Sequence, residues 1–137
     1  MQFEIMSKIE SFEDLKCWQE ARILRNDVKD LIKAFPDFEK YDLISQMRRA
    51  SRSVTHNIAE GYGRFHHREN MQYCRISRGS LHELKDQLIT AFDEKYISEE
   101  ALENYKKQVN NCLAILNGYI NYLKRRLNND QLITVNI

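Results

Sequence analysis

Apolar residues recur along most of this chain at the three-and-four spacing of a helix face. The pattern is clearest at Leu43, Met47, Ala50, Val54 and Ile58, whose steps keep one side of a helix turned to a core. This stripe predicts a helix from about Tyr41 to Tyr62. An earlier stripe of Leu15, Trp18, Ala21, Leu24, Val28, Leu31 and Ile32 predicts one from about Phe12 to Ala34. Ser11, with Asp14 three residues on, supplies its N-cap signal. Pro36 ends it, because the residue before proline is pushed out of the α region. A third helix, from about Arg68 to Asp93, turns Met71, Cys74, Leu81, Leu84, Leu88 and Ala91 inward. A fourth runs from about Glu99 to Leu127, capped by Ser98, with Glu99 and Glu100 at its positive end. Its stripe is Leu102, Tyr105, Val109, Cys112, Leu116, Tyr119, Leu123 and Leu127.

The short connections predict antiparallel neighbours. The expected fold is all-α, an up-down-up-down antiparallel four-helix bundle over residues 11–127. Residues 1–10 and 128–137 lack the period and read as short terminal extensions. Within the second, Leu132, Ile133, Val135 and Ile137 look extended. With 137 residues the chain is one domain by length, and a full core needs no staples. One proline and four glycines suit long uninterrupted helices. The three cysteines, Cys17, Cys74 and Cys112, sit on or beside apolar stripes, which predicts buried, reduced thiols. Without a signal segment or a long apolar run, a cytoplasmic protein that does not enter the membrane is expected.

Charge changes the picture. The net charge of +1 hides a segregation: residues 42–85 hold eight Arg or Lys against four acids, and all four histidines. Arg49, Arg52 and His56 stand at i, i+3 and i+7 of the second helix, so they share a face. Arg75, Arg78, His82 and Lys85 form a like row on the third. If these helices fold back around residues 64–67, residue numbers summing to about 132 lie opposite each other. Arg49 then falls near Glu83, Arg52 near Ser80, and Arg75 near Asn57 and Glu60. The two rows would form one ridge able to meet phosphates. The alternative is that the arginines serve pairs within the chain or an acidic neighbouring subunit. Tyr62, Phe65 and Tyr73 either stack bases or close the bundle end. Gly61 and Gly63 are expected to stop the second helix in left-handed backbone. Gly79 costs a helix interior roughly 1 kcal/mol against alanine, and close helix approach near Val54 is its expected return.

Catalytic and metal chemistry find little support. A di-iron bundle needs Glu-x-x-His on two helices, but the residues three before the histidines are Ser53, Gly63, Arg64 and Gly79. His66 and His67 with Glu69 read as a solvated turn. There is no phosphate-cradling glycine loop and no nucleophile motif. No catalytic residue, metal, cofactor or small-molecule substrate is therefore expected. One enzymatic alternative stays open. Arg49-x6-His56 and Arg75-x6-His82 resemble the signature of HEPN helical-bundle ribonucleases, in which a histidine works beside a scissile phosphate.

F-E-D-L-K-C-W-Q-E-A (12–21), the F-P of 35–36, Q-M-R-R-A-S-R-S-V (46–54), N-I-A-E-G-Y-G-R (57–64) and S-R-G-S-L-H-E-L (77–84) together resemble the bacterial 23S rRNA-intervening-sequence proteins. The resemblance spans about residues 11–127. It implies a four-helix bundle, sometimes encoded within 23S rRNA genes, that forms homopentameric rings. A related fold, the accessory protein of diversity-generating retroelements, works with a reverse transcriptase and nucleic acid. The family's motif residues fall at Asn57, Glu60, Gly61, Arg64, Gly79, Ser80 and Glu83, and none carries an established catalytic role. Phe65-His66-His67 departs from the family's small polar turn. The expectation is a non-enzymatic homo-oligomer that engages RNA or a nucleic-acid-handling protein through its basic ridge. A purely structural assembly module is the further alternative.

Overall fold

A computed structural model describes the backbone of residues 8–136 and the side chains of residues 8–130. Four helices make up the fold: α1 (Lys16–Leu31), α2 (Leu43–Gly63), α3 (His67–Asp93) and α4 (Glu99–Asn136). The all-helical expectation holds, and no strand occurs among the described residues.

The first cap works as its sequence implies, but one turn early. Ser11 Oγ accepts from the Glu13 amide at 3.2 Å and Asp14 Oδ2 accepts from the Ser11 amide at 3.2 Å. Together they close a 3-10 turn over Phe12–Asp14. Leu15 then takes extended backbone before α1 starts. At the other end Phe35, ahead of Pro36, is extended as proline requires. Ser98 Oγ accepts from the Ala101 amide at 3.1 Å and caps α4.

The α4 backbone continues through Asn136, beyond the expected stop at Leu127. Leu132, Ile133 and Val135 thus lie in helical backbone rather than extended chain. Neither proline nor glycine follows Gly118, so each further residue adds a helical hydrogen bond without a breaker. Residues 1–7 and Ile137, parts of the expected terminal extensions, lie outside the described residues.

The core forms where the stripes meet. Met47, Val54, Ile58, Leu81, Leu84, Leu88, Val109 and Leu116 are each at most 1% exposed. Trp18 is only half-buried and packs edge-on against Phe12 at 5.1 Å. Ser53 and Ser80 hydroxyls meet at 2.8 Å, and Ser77 Oγ donates to the Val54 carbonyl at 2.8 Å. These contacts give α2 and α3 the antiparallel register expected from their short turn. Asn70–Tyr119, Arg78–Asn117 and Lys85–Asn110 bonds run in opposite numerical order and make α3 and α4 antiparallel. Leu24, Ile44 and Ile120 are buried within the chain, while Ile76 and Ile89 are exposed. No described helix is long and apolar enough to cross a membrane.

Two glycine assignments change. No glycine has a positive φ, so α2 runs through Gly61 to Gly63 without a left-handed stop. The left-handed residue of that turn is Phe65, at φ 59°. Gly79 faces open space, and the close approach is at Gly61. A Cβ there would sit 2.7 Å from Asn70 Oδ1 and 2.9 Å from Tyr73 Cβ. The hydroxyls of Ser53, Ser77 and Ser80 fill the seam near Val54 instead.

Candidate functional site

The outer face of α2 is set by what its other faces need. The apolar stripe takes the core. Small residues take the two seams: Ser53 and Asn57 toward α3, Ser51 and Thr55 toward α1. Ser51 Oγ and Thr55 Oγ1 donate to the carbonyls of Arg48 and Arg52 at 3.0 and 3.1 Å, so both are satisfied while buried. Long side chains are left only the outside. Arg48, Arg49, Arg52 and His56 all stand exposed there.

Among the described residues, none of these three arginines has an ion-pair or hydrogen-bond partner for its side chain. The nearby acids are engaged elsewhere. Glu60 holds Arg64 at 3.0 Å, and Glu83, expected beside Arg49, accepts from Gln87 at 3.2 Å. Asp27 accepts from Gln108 of α4 at 2.9 Å, and Asp30 pairs with Lys33 at 3.3 Å. On α1, Arg25 reaches across to Thr55 Oγ1 at 3.1 Å, which brings its guanidinium and that of Arg48 to the same side of α2. Lys29 lies beside them. The sequence reading missed Arg25, Lys29 and Arg48. Arg48 stood in plain view beside Arg49, but the two α1 residues depend on how α1 packs.

The α3 row turns another way. Arg78 Nη1 donates to Asn117 Oδ1 and Lys85 Nζ to Asn110 Oδ1, both at 3.0 Å. Arg75 and His82 share that helical face and are exposed. The α3 residues that meet α2 are Ser77 and Ser80, on a different side of the helix. The two rows therefore do not join into one ridge. Ser80 meets Ser53 rather than Arg52, a one-residue difference that swings the arginine outward. The Arg49–His56 and Arg75–His82 pairs also lie on separate surfaces, and neither histidine makes a hydrogen bond among the described residues.

The motif residues Asn57, Glu60, Gly61 and Arg64 build the α2–α3 turn. Asn57 Nδ2 donates to the Ser53 carbonyl at 2.8 Å and to Ser53 Oγ at 3.0 Å. Arg64 bonds Glu60, donates to the Tyr73 hydroxyl at 2.8 Å, and lies over the Tyr73 ring at 5.2 Å. The bond to Glu60, above all, raises the Arg64 pKa. Gly61 lets Asn70 and Tyr73 come close beneath it. Arg75, expected near Asn57 and Glu60, bonds neither. Tyr73 is thus tied into the turn and Tyr62 is half-buried, while Phe65 is 83% exposed.

Cys17, Cys74 and Cys112 are free and buried. Burial pushes each thiol up to about 12, so none is a nucleophile near neutrality. Among the described residues no group of three or more His, Cys, Asp or Glu is arranged to hold a metal. His67, one of the adjacent histidines, lies 3.5 Å from Asp130.

A search of curated proteins found no match. The family model for the 23S rRNA-intervening sequence protein matches residues 13–118.

Proposed function

The chain belongs to the 23S rRNA-intervening sequence proteins, and from that membership we propose that it is a non-enzymatic, cytoplasmic homo-oligomer that binds RNA through the basic face of α2. The observation that carries this reading is the unmatched arginine row. Like charges one turn apart on a helix are mildly destabilising, by roughly 0.2–0.5 kcal/mol per pair. Arg48 and Arg52 stand at that spacing, and no acid offsets them. A row maintained against its own repulsion is suited to an external polyanion, and phosphates are the polyanion guanidinium groups match best. Against pairing within the chain, the competing role, stand the Glu60–Arg64 ion pair and the absence, among the described residues, of any ion pair from Glu83 to these arginines. Self-association is supported by the exposed Ile23 on α1 and the exposed Ile76 and Ile89 on α3, and the homopentameric ring follows from the family resemblance.

Incubating the pure protein with end-labelled single-stranded RNA tests this directly. The expected result is retarded RNA of unchanged length, with His56→Ala and His82→Ala behaving like the parent. Shortened RNA, restored to full length by either histidine substitution, would replace this reading with a HEPN-like ribonuclease. Absence of any retardation would leave an assembly module.

A further inference from the structure

Where α1 crosses α2, the described surface forms a groove of about 400 Å³. Arg25, Asn26 and Lys29 line it from α1, and Arg48, Arg52 and His56 from α2. No aspartate or glutamate takes part. Four formal cations thus share one recess whose lining holds no counter-charge. We propose that this groove is an oxyanion seat that takes several phosphate groups at once, from a nucleic-acid backbone or from a free polyphosphate.

Its construction favours that ligand class. Arg25 is half-buried and fixed by Thr55, so one guanidinium is held in place before anything binds. Ordering it in advance lowers the entropic cost of binding. Thr55 and Ser51 satisfy their own donors on α2 carbonyls, and the N–H groups of Arg48 and Arg52 stay unspent beside those of Lys29 and Asn26. A single phosphodiester carries one negative charge, so four cations call for several phosphodiesters or one polyphosphate. No Phe, Tyr or Trp lines the groove, and His56 is its one aromatic ring. Cations dominate the lining, so it reads chiefly backbone charge. The inference rests on the RNA reading only for the source of the phosphates. The groove itself is a separate claim.

Calorimetric titration of the whole protein with sodium tripolyphosphate, and separately with a short oligouridylate, separates the two. Arg48→Gln with Arg52→Gln removes two exposed, unpaired cations of the groove, while Arg75→Gln with His82→Gln serves as the α3 control. Both ligands should bind the parent, the groove variant should lose about tenfold or more in affinity for each, and the control should stay within about twofold, as expected for charge-assisted bonds. Circular dichroism should show both variants folded. Lys29→Gln alone, which removes one cation of the groove rather than two, should give a smaller loss in the same direction. Binding of tripolyphosphate without RNA would support the groove and overturn the RNA reading. RNA binding lost in the α3 control but kept in the groove variant would overturn the groove and leave the RNA reading standing. If neither ligand binds the parent, the groove proposal fails.

Discussion

At the scale of single residues, glycines and cysteines give the sharpest tests. Gly61 and Gly79 look alike in sequence, yet only Gly61 lies against another helix. Gly61→Ala forces a Cβ into Asn70 and Tyr73 and should lower stability by roughly 1–3 kcal/mol. Gly79→Ala adds a methyl to open space in a helix interior and should raise stability by roughly 0.5–1 kcal/mol. Denaturant midpoints of the two variants check both signs at once; equal effects would contradict the seam described here. The thiols give a pH test. Each cysteine is raised by burial from an ordinary 9.0 to about 12. The unfolded chain releases these protons first, so their contribution is complete below pH 9 and is lost as pH rises toward 12. The thermal midpoint should accordingly fall through that alkaline window. Iodoacetamide should label none of the three in native protein at neutral pH and all three in denaturant.

At the scale of elements, the helices and the α2–α3 register were legible because each rests on local information. The stripes mark the core faces, Pro36 and Ser98 mark ends, and a tight turn fixes which residues face each other. Leu84, read as inward and found fully buried, carries a direct check: Leu84→Ala should cost ~2–5 kcal/mol. What the sequence did not reveal was the direction each basic row faces. Arg78 and Lys85 turn to Asn117 and Asn110, which are over thirty and twenty positions away. The place of Arg25 and Lys29 depends on the irregular chain from Ile32 to Asp42, whose two 3-10 turns have no strong signal. The end of α4 was missed for the opposite reason. Its apolar period fades before its backbone hydrogen bonding does, and the period was the signal being read.

At the scale of the whole molecule, two claims stand apart from the single chain. The first is assembly. Light scattering at micromolar concentration should give about five times the 16.4 kDa chain mass; a monomer would remove the ring. The second is that charge is arranged for a ligand rather than for stability. Residues 42–85 concentrate the positive charge of a nearly neutral protein, and the fold holds the α2 part of it outward and unmatched. In a ring, repeated copies of that face would bind a long polyanion with avidity beyond the affinity of one site.

The most direct test of that central claim is the salt dependence of RNA binding, measured with melting temperature on the same proteins: the parent and Arg49→Gln with Arg52→Gln. For single strands, log K falls against log salt with a slope of about −0.7 for each phosphate neutralised. The parent should show a steep slope, and the double variant one flatter by roughly one to two units. Its melting temperature should be unchanged or slightly higher, because the lost charges repelled their neighbours and held no partner. A double variant that melts well below the parent, together with a parent that has no measurable RNA affinity, would contradict the account and make these arginines structural.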